Sequence, residues 1–101
     1  MPGYTYDIVL KTEIGERKGQ LILEITEYIV RGCFNLLGFS LPCSGRIDQN
    51  GKCFLQGQLK TFMNTYDYIG KGYADCNKVD VVLNSGKKCF HMMGTVISHE
   101  E

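Results

Sequence analysis

The chain has 101 residues, with 11 Lys plus Arg balancing 11 Asp plus Glu, so its formal net charge is zero. That length reads as one domain spanning residues 1–101, with a single core of modest stability unless copies associate. The charge balance excludes a duplex binder that works by neutralising phosphates and provides little repulsion between copies; a homo-oligomer, dimer or higher, is expected and a nucleic-acid partner is not.

No apolar stretch reaches the roughly 18–20 residues of a membrane-spanning helix. Met1-Pro2-Gly3-Tyr4 lacks the charged and apolar regions of a secretory signal, so a cytoplasmic location and no membrane partner are expected. The five cysteines, Cys33, Cys43, Cys53, Cys76 and Cys89, are odd in number and contain no Cys-x-x-Cys. Their spacing matches no zinc motif, so no metal is expected. They read as reduced thiols packing as small hydrophobes, which suits a reducing compartment.

Tyr4 to Thr12 alternates, with Tyr4, Tyr6, Ile8 and Leu10 on one face. A polar loop, Glu13 to Lys18, follows. Gly19 to Glu27 places Leu21, Leu23 and Ile25 together, and Tyr28 to Arg31 either ends that strand or starts the next link. Gly32 to Leu41 is apolar on both faces, so parity does not decide which side points inward; it reads as a doubly covered strand ended by Pro42. Cys43 to Asp48 is short, and Asp48-Gln49-Asn50-Gly51 contains the strongest short hairpin signal, Asn-Gly. Lys52 to Met63 is the returning strand. Thr65 to Asp75 is rich in tyrosine and glycine, and Cys76-Asn77-Lys78 forms a turn. Val79 to Asn84 alternates, Ser85-Gly86-Lys87 turns, and Lys88 to Ser98 is the last strand before a polar tail, His99-Glu100-Glu101.

Glycine punctuates these runs at Gly19, Gly32, Gly45, Gly57 and Gly72, about one strand plus one turn apart, and again at Gly94. Glycine inside a strand marks a bend or a close approach, and repeated bends curl a sheet. No segment sustains a 3.6-residue period. The runs therefore predict an all-β fold: a single seven- or eight-stranded antiparallel up-and-down barrel, closed so that no edge stays exposed.

No nucleophile elbow, dinucleotide loop, phosphate loop or His-Glu-x-x-His motif is present, so no catalytic residue and no cofactor is assigned. An eight-stranded barrel is just wide enough to be filled by side chains or to hold one small ligand. Tyrosine combines an apolar ring with a directional hydroxyl, which makes Tyr6, Tyr66 and Tyr68 candidates for orienting such a ligand, with Asn35 and His91. Leu23, Leu55, Leu59 and Met93 are candidates for its apolar walls. Gly57, Gly70, Gly72 and Ala74 open space if they face inward and bend the wall if they face outward. His91, on the parity of Cys89 and Met93, reads as a haem ligand, a general base or a hydrogen-bonded core residue. Arg46 lies outside if Ile47 lies inside; a parity reversal at Gly45 would instead let it clamp a carboxylate.

With a meander of glycine-bearing strands over nearly its whole length and a Gly45-Arg46-Ile47-Asp48-x-Asn50-Gly51 hairpin, the chain resembles the calycin group, the lipocalin- and streptavidin- or avidin-like barrels. It is also similar to short bacterial β-barrel proteins with Lys-Thr-loop-Gly patterns, here at Lys11-Thr12 and Lys60-Thr61. The chain has no tryptophan, so neither the lipocalin Gly-x-Trp signature nor biotin recognition is implied. The resemblance implies non-covalent binding of a small, mostly apolar or amphiphilic molecule inside the barrel. Two alternatives stay open: a packed structural or oligomerisation module with Gly32 to Leu41 as its interface, and a small barrel enzyme or cofactor-binding accessory protein using His91 or a tyrosine.

Overall fold

Alternating runs become strands because one parity is apolar and can be buried while the other stays in water. In the computed structural model, which describes residues 3–12, 15–36, 38–60, 64–86 and 88–100 (the side chain of residue 100 excepted), eight strands result. They are β1 (Gly3–Thr12), β2 (Gly15–Thr26), β3 (Ile29–Leu36), β4 (Phe39–Ile47), β5 (Lys52–Lys60), β6 (Thr65–Ala74), β7 (Lys78–Ser85) and β8 (Lys88–Glu100). Each pairs antiparallel with its sequence neighbours, and β8 returns to β1, closing the barrel. No helix occurs among the described residues. This is the closed eight-stranded architecture that a calycin resemblance implies.

The inward parity switches at every turn except the one between β4 and β5, where odd positions face inward on both strands. Tyr6, Ile8 and Leu10 face inward on β1, Leu21 and Leu23 on β2, Phe34 and Leu36 on β3, Leu41 and Cys43 on β4. That switch explains the run Gly32 to Leu41, which is not one doubly covered strand. A hairpin containing Gly38, at φ +80°, divides it, so even positions face inward before the turn and odd positions after it. Among its described residues, Cys33, Asn35 and Ser40 take the outward positions. Pro42 lies inside β4 rather than ending it.

Three boundaries also move. Gly15 to Lys18 belongs to β2 rather than to a polar loop. Glu27 and Tyr28 make the β2–β3 turn with φ of 49° and 72°, values uncommon for residues with a side chain. His99 is part of β8, its ring stacked on Tyr4 with centroids 4.7 Å apart. The far end of the Lys52 to Met63 run lies outside the described residues, as do the Glu13-Ile14 positions.

The step glycines neither open a void nor point out. Gly57 lies between inward Leu55 and Leu59, and Gly70 and Gly72 share the parity of buried Tyr68 and Ala74. Neighbouring atoms already occupy the space a side chain would need. A Cβ at Gly70 would sit 2.7 Å from Leu83 Cδ2 and 2.9 Å from Val81 Cγ1, and one at Gly72 would run into the Asp80 carbonyl oxygen. At these glycines neighbouring atoms approach closely, and the buried core among the described residues contains no charged residue.

At the end of the barrel where β1 begins and β8 ends, the turns are hydrogen-bonded to neighbouring elements. Tyr6 donates its hydroxyl hydrogen to the Asp75 carbonyl at 2.7 Å. Val96 N–H donates to Asn77 O, Ala74 N–H to Gly51 O and Ile47 N–H to Tyr28 O. Asp48 and Asp75 each accept two backbone N–H groups of their own turns, the local bonding that lets aspartate nucleate tight turns.

Candidate functional site

Six of the nine residues expected to line the lumen share its inward face. Tyr6, Leu23, Leu55, Leu59 and Tyr68 are buried, and Tyr66 is half-buried with its ring 5.6 Å from that of Phe90. The other three face out. Asn35 is exposed because Phe34 and Leu36 take the inward positions of β3. Met93 and His91 lie outside because Phe90 and Met92 are buried on β8. Apolar residues on both parities, Met92 beside Met93 and Asn35 set between Phe34 and Leu36-Leu37, hide the parity in the sequence. His91 Nε2 instead meets Asp80 Oδ1 at 2.5 Å on the outer wall, so it is no lumenal base or haem ligand. Arg46 is exposed, on the outward parity that an inward Ile47 requires.

One polar atom of the core stands apart. Tyr68 is 3% exposed, and its hydroxyl has no hydrogen-bond partner among the described residues. The register explains where it points. Tyr68 pairs with Gly57, and Gly57 pairs with Cys43 on the next strand. Without a side chain at Gly57, the Tyr68 ring reaches across β5 toward β4: its hydroxyl and the Pro42 carbonyl oxygen each lie 2.9 Å from where a Gly57 Cβ would be. The ring meets Phe34 edge-on, with centroids 6.0 Å apart.

The wall is weakest at the same place. β4 stays paired with β3 from Arg46 back to Phe39, but its pairing with β5 stops at Cys43↔Gly57. Pro42 has no N–H to continue that ladder. Phe39 to Pro42 and Gln58 to Lys60 are therefore not paired with each other, although each remains paired on its other side. An open groove lies over this seam, lined by Pro42, Cys43, Gln56, Gly57, Gln58 and Tyr68 among others.

The electrostatics of the seam favour neutral groups. Burial pushes the Tyr68 phenol well above its ordinary value, with the Cys43 thiol adding to the shift. Burial likewise raises Cys43 to about 12. Both groups stay protonated at neutral pH, so the hydroxyl is a hydrogen-bond donor and not an anion. No group of three or more metal-binding side chains occurs among the described residues.

Sequence reasoning singled out Gly57 and Tyr68 separately and missed Pro42 and Cys43. The only available signal was a proline inside an alternating run, which reads first as a strand end. Compared with known proteins, the chain matches no family model, no curated protein and no solved structure.

Proposed function

We propose that the protein binds a small, uncharged, mostly apolar molecule carrying a hydrogen-bond acceptor, admitted where β4 and β5 part and held against Tyr68 in the barrel. The observation that carries this reading is the buried, unpartnered Tyr68 hydroxyl beside an interrupted ladder. A buried polar group without a partner costs about 1–3 kcal/mol, and a ligand carbonyl or ether oxygen would recover that cost. The apolar wall comes from Leu55 and Leu59, with Phe34 and Cys43 across the seam. No buried cation occurs among the described residues to accompany a carboxylate, so the ligand is neutral. Binding of this kind is what a lipocalin- or avidin-like barrel performs, and a cytoplasmic bacterial setting agrees with the free thiols.

Acetophenone and ethylbenzene have nearly the same shape, and only acetophenone carries an acceptor. We expect acetophenone to shift the Tyr68 ring and Gly57 amide resonances and to bind up to about tenfold more tightly, the value of one buried hydrogen bond. Tyr68→Phe should abolish that preference. Neither molecule perturbing the seam, or a preference that survives Tyr68→Phe, would overturn the proposal. Native mass spectrometry of freshly purified protein tests the same point through any retained small mass.

A second reading, an oligomerisation module, draws on Ile69 and Tyr73, which stand 57% and 61% exposed on the outer face of β6. Sedimentation across a hundredfold concentration range tests it: a monomer throughout excludes it.

A further inference from the structure

A second cleft lies outside the barrel at the end that carries the termini. It has a volume of about 510 Å³, within the size range of small-molecule sites. Its walls include Tyr28 from the β2–β3 turn, Arg46 and Ile47 from β4, Asp48 to Asn50 from the next turn, and Lys52 and Phe54 from β5. The register sets their order. Ile29, next to Tyr28, pairs with Arg46, and Arg46 pairs with Phe54, so the guanidinium-bearing position stands between the two aromatic ones.

Four further observations point to an occupant. Tyr28 and Phe54 are 59% and 40% exposed and make no ring contact with each other, so both rings border open space. Arg46 makes no hydrogen bond or ion pair among the described residues, although Asp48 is two positions away. The Asp48 carboxylate accepts the N–H groups of Asn50 and Lys52 at 2.8 and 3.0 Å. Lys52 Nζ stands 5.8 Å from the centre of the Phe54 ring, a second cation on the same wall. Finally, Tyr28 is held at φ 72°, where a glycine would be unstrained. Strained backbone of this kind gathers at ligand clamps.

We propose that this cleft binds a planar aromatic anion, its ring between Tyr28 and Phe54 and its anionic group on Arg46 with Lys52 alongside. A planar guanidinium matches a carboxylate or phosphate, and aromatic faces match a flat ring. The neutral chain as a whole lacks the charge to track a nucleic-acid backbone, but one anionic group needs only these two cations. A mononucleotide and an aryl carboxylate share this chemistry. The site is separate from the Tyr68 seam and does not depend on it.

The test is a set of NMR titrations with AMP, 2-naphthoate, neutral 2-naphthalenemethanol and inorganic phosphate. Saturable shifts at Tyr28, Arg46 and Phe54 are expected for AMP or 2-naphthoate. The neutral alcohol and phosphate should each bind at least tenfold more weakly. Tighter AMP identifies a nucleotide, and tighter 2-naphthoate identifies an aryl acid; either result supports the site. Arg46→Gln should remove the preference of 2-naphthoate over the alcohol, and Phe54→Leu should weaken both aromatic anions about tenfold. Both residues are exposed, so unchanged spectra elsewhere will show that the variants fold. The proposal is overturned if neither anion saturates, if the alcohol equals 2-naphthoate, or if both variants bind as the native chain does.

Discussion

Gly57 and Tyr68 are complementary: the side chain missing from one strand makes room for the ring of the next. Gly57→Ala places a methyl 2.9 Å from both the Tyr68 hydroxyl and the Pro42 carbonyl, and should cost about 1–3 kcal/mol by overpacking. Tyr68→Phe removes an unpartnered hydroxyl and should leave stability unchanged or raise it by about 1 kcal/mol. In the double variant the alanine should cost less, because one of its two collisions has gone. Urea unfolding of the four proteins measures that coupling as a double-mutant cycle. Each residue was visible in the sequence as a candidate, but the pair was not. Their contact depends on a β5–β6 register that no local pattern specifies.

At the scale of elements, the two hairpin turns flanking β3 and β4 show what sequence can and cannot signal. Asp48-Gln49-Asn50-Gly51 is legible because Gly51 supplies the positive φ of 86° that the turn requires. Glu27-Tyr28 requires the same region of backbone space and contains no residue that asks for it. Replacing this pair with Asn-Gly should therefore stabilise the fold by about 1 kcal/mol, by removing side chains from left-handed positions. Thermal unfolding of Glu27→Asn/Tyr28→Gly checks this, and an unchanged or lower midpoint would show that the native turn is not strained. Pro42 makes the complementary point. It reads as a strand end, yet its missing N–H interrupts only the β5 side of β4, because β3 continues to hold the other side. A strand has two edges, and a sequence pattern does not say which edge a proline disables.

At the scale of the molecule, no charged residue among those described is buried beside the ionisable groups inside the barrel, and this sets the alkaline behaviour. Burial raises Cys43 from 9.0 to about 12 and Cys53 from 9.0 to about 11, and it raises the Tyr6 and Tyr68 phenols as well. In the unfolded chain these groups ionise at their ordinary values, while the folded chain keeps them neutral. Their contribution is therefore intact below pH about 9 and is lost as pH rises toward about 12. Unfolding free energies measured from pH 7 to 11 should fall above pH about 9. At pH 8, an excess of thiol reagent should modify exposed Cys76 and Cys89 in the folded protein and reach Cys43 and Cys53 only after unfolding, as counted by intact mass.

The sequence by itself determined the fold class, the single meandering order and most strands, because a period of two and turn residues are local properties that solvent enforces at each position. It also determined that the lumen is apolar, since most inward positions carry hydrophobic side chains. Only the tertiary structure decided which parity faces inward in runs with apolar residues on both faces, as around Phe34 and Asn35 and at Met92 against Met93. It alone decided that inward glycines are filled by their neighbours, that Tyr68 meets the Pro42 seam, and that Tyr28, Arg46 and Phe54 share a cleft. The physical reason is that burial and contact depend on register and closure, which arise from all eight strands together rather than from any one of them.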